Sequence, residues 1–230
     1  MDNKFDFQSP YVVLMVGLPS SGKNNTVNYI RRLNMTDNPV HVSSDNELHD
    51  IGVDLGIVDD KGAVFYEDVI SFQVDGEMVH YEEAKNRMNR RLDQFVGEGR
   101  NIIVNRTHVI ASERAEILNK IPHNYNTYAV VMDTDFDTIW ERIKRDDKEV
   151  PLAVLESKIN AMERVGPKEG FYKIIRQGGT ELPYAAPVRE DQRIKYATPS
   201  QYVRENFEVL MFSDTNRKRL KSTFLQKRAL

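Results

Sequence analysis

Residues 17–24 read Gly-Leu-Pro-Ser-Ser-Gly-Lys-Asn and directly follow the apolar run Tyr11-Val12-Val13-Leu14-Met15-Val16. No other feature constrains the fold as tightly. The segment matches the phosphate-loop pattern G-x-x-x-x-G-K-[ST] in every place but the last. Such a loop turns a buried strand sharply into a helix, so that several backbone N–H groups converge on one point. The helix N-terminus adds about half a positive charge there. Gly17, Ser20, Ser21, Gly22, Asn24 and Asn25 are the candidate cradle for a nucleotide's phosphates, with Lys23 and, further along, Arg142 reaching toward them. Asn24 stands where a Ser or Thr hydroxyl ordinarily meets Mg²⁺. An amide oxygen can ligate a hard cation, so Asn24 is a candidate metal ligand, but of poorer geometry than a hydroxyl. The bland alternative, a loop that merely collects small residues, sits badly with the strand–turn–helix context.

Four short apolar runs have the look of buried parallel strands: 12–16, 40–42, 102–104 and 127–132. Helical patterns over 25–33, 81–96, 112–121 and 136–144 alternate with them, and Ser112 reads as the cap of the third. A further helix over 151–164 opens with Pro151, and Lys173-Ile174-Ile175 supplies a last strand. This alternation predicts an α/β fold, a central parallel sheet with helices on both faces, and with the phosphate loop the expectation is a P-loop NTPase fold with a helical lid. The domain is expected to span 1–178. Residues 179–230, punctuated by Pro183, Pro187 and Pro199, form an extension expected to pack on it.

Several function classes drop out. There are no cysteines, and five scattered histidines have no zinc spacing. No stretch approaches the ~20 apolar residues needed to cross a bilayer. The start, Met1-Asp2-Asn3-Lys4, does not resemble a secretory signal, so a cytoplasmic protein without a membrane partner is expected. A net charge of -3 exerts no global pull on nucleic acid. The exception is local: Arg217, Lys218, Arg219, Lys221, Lys227 and Arg228 make a basic tail, read either as a solvated helix or as a polyanion contact.

Three segments narrow the chemistry. Val42-Ser43-Ser44-Asp45 puts an acid at the C-terminal end of the second strand, the edge that faces the ligand crevice in doubly wound sheets. Asp45 is either a general base toward an attacking hydroxyl or the N-cap of a helix over 46–49. Ile102-Ile103-Val104-Asn105-Arg106-Thr107-His108 ends a second strand in polar groups at the same edge. Arg142-Ile143-Lys144-Arg145-Asp146-Asp147-Lys148 reads as a charged turn between helices, able to close over phosphates.

Together with Val150-Pro151-Leu152-Ala153-Val154-Leu155 and Pro167-Lys168-Glu169-Gly170-Phe171, this order resembles the kinase domain of the polynucleotide 5′-hydroxyl kinases, a P-loop kinase group with phage and eukaryotic members. The resemblance covers residues 10–178. It implies ATP and Mg²⁺ as cofactors and transfer of the γ-phosphate to the 5′ end of DNA or RNA. By position, Lys23 resembles the phosphate-loop lysine, Asp45 the general base, Arg145 the lid arginine with Arg142 close by, and Thr107 the Thr of a D-x-T segment. The chain departs from the family at three places. Asn24 replaces Ser or Thr, Asn105 replaces the Asp of the D-x-T segment, and Leu48 stands where the phage enzymes have an arginine that holds substrate phosphate. Arg106 and His108 are the nearby cationic substitutes. Three readings follow: a polynucleotide kinase, a P-loop kinase of another hydroxyl (a hydroxymethyl base, nucleoside or small alcohol), or a nucleotide-binding protein with weakened catalysis.

Overall fold

The computed structural model describes residues 4–57, 79–145 and 152–178. The lid residues 146–148, Val150-Pro151 and the basic tail lie outside the described residues. The chain divides into two compact units, 1–149 with 163–184, and 150–162 with 185–230. In the second unit the described element is one helix, Leu152–Asn160, which is shorter than the 151–164 expected.

The strands of the first unit are β1 (Tyr11–Val16), β2 (Val40–Ser43), β3 (Ile102–Asn105), β4 (Asn126–Asp133) and β5 (Lys173–Gly178). They form one sheet in the order β2-β3-β1-β4-β5, with every neighbouring pair parallel. The helices of this unit are α1 (Lys23–Leu33), α2 (Ser44–Asp54), α3 (Val79–Gly97), α4 (Ala111–Leu118) and α5 (Phe136–Arg145); the helix of the second unit is α6. A 3-10 turn spans Pro167–Glu169.

Alternation along β1 shows how the layers form. Successive side chains point to opposite faces of a strand. Tyr11, Val13 and Met15 pack with Val27 and Ile30 of α1, whereas Val12, Leu14 and Val16 pack with Met88 and Leu92 of α3 and Ile117 of α4. All six β1 residues are buried, which is why the strand reads as a continuous apolar run. Each such aliphatic side chain contributes about 1.5–3 kcal/mol by leaving water. Phe5 and Phe7 extend the α1 side, where Phe7 meets the Tyr128 ring edge-on at 4.8 Å. Among the described residues no helix is long and apolar enough to cross a membrane.

Five local expectations are corrected. Ser43, not Asp45, caps α2: its Oγ accepts the Asp45 N–H at 3.2 Å, and Asp45 lies in the first turn. The helix that follows is a full 11 residues, docked through Leu48 and Ile51 on Ala84 of α3. It is also strapped to α3 by ion pairs, Arg91 to Glu47 at 3.0 Å and to Asp50 at 3.2 Å. Its stability is therefore mostly tertiary, and the sequence pattern under-reports it. α4 begins at Ala111 rather than Ser112, because its first N–H donates to the Glu163 carboxylate at 2.5 Å, a cap supplied from 52 residues away. It ends at Leu118, short of the 121 expected. Lastly, Arg142 to Arg145 form the last turn of α5, so the described part of the expected charged turn is helical.

Candidate functional site

The chain runs from β1 to β2 on one side and from β3 across to β4 on the other, so the strand order reverses at β1. In open parallel sheets, ligands bind in the crevice beyond the carboxyl end of such a strand. Residues 17–24 fill that place.

The loop is built from backbone. Ser20 and Gly22 both take left-handed conformations, with φ of 58° and 98°. At Gly22 a side chain would be strained by the backbone and would also crowd the Arg142 guanidinium, 3.2 Å from an added Cβ. Gly17 has no room at all: an added Cβ would fall 2.8 Å from both Met132 Cβ and Ser21 Oγ. The Gly17 N–H donates to the Thr107 carbonyl at 2.9 Å, which ties the loop to the segment after β3. On its other flank, Thr134 Oγ1 donates to the Ser21 carbonyl at 2.8 Å, and Arg142 Nη1 to the Ser20 carbonyl at 3.3 Å.

The start of α1 is left open for an anion. Its first turn holds no acid, and the N-cap position, Gly22, has no side chain to satisfy the first N–H groups. The first helical bond is Thr26 N–H to Gly22 C=O, so the N–H groups of Lys23, Asn24 and Asn25 precede it. Lys23 folds over the loop, and its ammonium donates to the Gly17 and Leu18 carbonyls at 2.9 and 2.7 Å. Burial lowers its pKa to about 8, against the opposing pull of the Asp45 carboxylate. Asp45 itself is an exposed side chain in the first turn of α2. The sheet and loop thus bring together Lys23, Asp45 and Arg142. Arg145 lies one helical turn further along, at the exposed end of α5.

Beneath the loop lies a buried brace that the sequence reading missed. His108 is fully buried, adopts φ 43°, and its Nδ1 meets the Met15 carbonyl at 2.9 Å. Desolvation depresses its pKa to about 3, so it is neutral. It cannot serve as the substrate-binding cation considered above. Arg114, also fully buried, donates to the His108 carbonyl at 2.9 Å and forms a two-point ion pair with Glu169 at 2.5 and 2.9 Å. Glu169 in turn accepts the Gly166 N–H at 2.9 Å. The Pro167–Phe171 element therefore works through Glu169 as an anchor for the segment that carries Thr107. Charge alone in the sequence does not distinguish Arg114 from a surface arginine. Arg106 points instead at Tyr81, with its Nη2 3.4 Å from the hydroxyl. Leu48 is buried in the α2–α3 contact, so no substrate-facing cation stands at that position.

The two amide departures meet one another: Asn105 Nδ2 donates to Asn24 Oδ1 at 2.8 Å. The remaining Asn105 oxygen is buried without a partner, at a cost of about 1–3 kcal/mol. The cradle fits the phosphates of ATP. The donor set does not fit a Mg²⁺ chelated by the protein. Of the pair, the exposed Asn24 already has its oxygen engaged, the Asn105 oxygen is enclosed, and position 105 carries no charge. Among the described residues no group of three His, Cys, Asp or Glu side chains could hold a metal ion.

The profile of the AAA_33 family, described as an AAA domain, matches residues 12–165. No curated protein matches the chain. Among solved structures, a putative kinase from Chloroflexus aurantiacus superposes with a TM-score of 0.52 at 14% identity, over 86% of this chain and 98% of that one. A sugar kinase from Janibacter gives 0.49 at 14% identity, over 82% and 93%. The Pnkp1/Rnl/Hen1 RNA repair complex gives 0.49 at 17%, over 68% of this chain and 44% of that one. At such identities the likeness is one of fold.

Proposed function

This chain belongs to the AAA domain family, and we propose that it acts as an ATP-dependent phosphotransferase whose acceptor is the 5′-hydroxyl of a polynucleotide. One observation carries the phosphotransfer reading. Asp45 is an exposed acid in the first turn of α2, just past the carboxyl end of β2, and its charge acts on the loop lysine, Lys23. Phosphoryl transfer asks little covalent chemistry of a protein; positioning and electrostatics do most of the work. The loop N–H groups and the start of α1 hold the β- and γ-phosphates. Lys23 exchanges its bonds to the Gly17 and Leu18 carbonyls for phosphate oxygens. Arg142 and Arg145 balance charge on the transferring group. Asp45 orients the acceptor hydroxyl and takes its proton as the new O–P bond forms, while the bond to the β-phosphate oxygen breaks and ADP leaves.

The polynucleotide acceptor rests on motif order: phosphate loop, strand-end acid, N-x-T-H segment, lid arginines and P-x-E-G-F element. The burial of Leu48 favours a second reading, a P-loop kinase of a hydroxymethyl base, nucleoside or small alcohol. γ-Labelled ATP offered with 5′-hydroxyl DNA and RNA, 5′-phosphorylated controls, hydroxymethyl-base DNA and nucleosides separates the two. Label confined to 5′-hydroxyl ends, with activity falling steeply as salt rises, supports the first. Label on a nucleoside or a modified base replaces the acceptor. Asp45→Asn should slow transfer about 10²–10⁴-fold with ATP affinity unchanged, and full turnover in that variant would remove Asp45 from its role.

A further inference from the structure

We propose that the Asn24–Asn105 amide pair makes nucleotide binding at this loop largely independent of a divalent cation, by presenting an amide donor to the phosphates where related loops present a cation ligand. The proposal rests on the nucleotide-site reading above. In P-loop proteins generally, the loop hydroxyl and an acidic strand-end residue hold Mg²⁺, which then neutralises the phosphates. Here both positions are neutral and committed to each other at 2.8 Å. Asn105 is only 4% exposed, and its free oxygen is sealed from solvent. Mg²⁺ demands an octahedral shell of oxygens, commonly including a carboxylate. Asp133, the acid that ends β4, pairs with Arg176 at 3.0 Å.

The same hydrogen bond has a second consequence. With its oxygen engaged by Asn105, the group that exposed Asn24 retains for a ligand is its Nδ2, which carries two N–H donors. Asn24 sits in the first turn of α1, beside the backbone N–H groups that converge on the phosphate. The ligand chemistry this suits is an anionic phosphate oxygen. Lys23, Arg142 and the uncapped helix start supply the positive charge that a bound cation would otherwise bring. An acceptor set built for a cation has thus become a donor set built for an anion.

The test is the affinity of the full chain for ATP, by calorimetry, in excess Mg²⁺ and in EDTA. The wild-type dissociation constants are expected to agree within about threefold, whereas the double variant N24S/N105D, which restores hydroxyl and carboxylate, should bind about tenfold or more tightly with Mg²⁺ than without. The single variant N105D should weaken binding in EDTA, because its carboxylate captures the Asn24 amide that otherwise meets the phosphate. Thermal melting checks that each variant is folded. Wild-type binding that tightens about tenfold or more with Mg²⁺ overturns the proposal. So does a folded double variant whose Mg²⁺ response equals that of the wild type. ATP that binds in neither condition overturns the nucleotide-site reading itself.

Discussion

The phosphate loop and the brace beneath it are opposites in construction. The loop is eight contiguous residues, mostly small, and its working groups are backbone N–H and C=O. The brace is three side chains, His108, Arg114 and Glu169, drawn from a loop, a helix and a 3-10 turn, and its working groups are charged or titratable, the first two buried and Glu169 partly so. Two bonds tie them through their neighbours: Gly17 N–H to the carbonyl of Thr107, next to His108, and His108 Nδ1 to the carbonyl of Met15, two residues before the loop. The loop's shape is set locally by what each φ permits. Its placement at the end of β1 is set by groups up to 55 residues apart. A binding surface that must stay open to ligand leaves its rigidity to the layer behind it.

Breaking the brace should have the largest effect. Arg114→Ala strands Glu169 without its partner and should destabilise the protein by about 3–5 kcal/mol in urea unfolding. The double variant Arg114→Met with Glu169→Gln should recover much of this, since neither side then leaves a charge unpaired. If Arg114→Ala melts like the wild type, the brace is not a support. Lys23→Met should invert the pattern. Removing a charge poised at the transferring phosphate should slow transfer about 10²–10³-fold while leaving the melting temperature at or above wild type, because a desolvated ammonium is lost. Gly22→Ala probes the seam between the two regions. With φ at 98° and the Arg142 guanidinium beside it, it should cost about 1–2 kcal/mol in stability, and also weaken nucleotide binding measurably by calorimetry.

The smallest effect is a proton. The Lys23 pKa is lowered to about 8 in the folded protein from an ordinary value of 10.5. Between these values the unfolded chain holds a proton that the folded one has lost, so this lysine makes stability rise with pH from about 8 to 10.5. Bound phosphate favours the charged form. ATP binding near pH 8.5 should therefore take up protons, seen as a dependence of calorimetric enthalpy on buffer ionisation heat. The dependence should vanish in Lys23→Met. Uptake that persists there would place the titrating group elsewhere.

The loop and the sheet were legible because their signals are short-range. A continuous apolar run before G-x-x-x-x-G-K specifies a buried strand and the turn after it. The predicted strands 12–16, 102–104 and 127–132 match β1, β3 and β4 to within a residue or two at each end. Helix α2 was legible only in part, as a helix over 46–49, because Leu48 and Ile51 acquire their meaning only against Ala84, and Arg91 only against Glu47. The cap of α4 was misread for the same reason, since Glu163 lies in another part of the chain. Leu48, at the place of a phosphate-holding arginine, and His108, a candidate cation for the same task, both turn out to lie in the interior.

By itself the sequence determined that a buried strand ends in a phosphate cradle with Lys23 at its rim, and that parallel strands alternate with helices around it. Those properties follow from dihedral limits and from hydrophobic periodicity, both of which act over a few residues. Only the tertiary structure decided that Asn24 and Asn105, 81 positions apart, hydrogen-bond to each other. The same is true of Arg114 as the buried strut behind the loop. A hydrogen bond or an ion pair depends on distance in space, and chain separation says nothing of that distance until the sheet has closed.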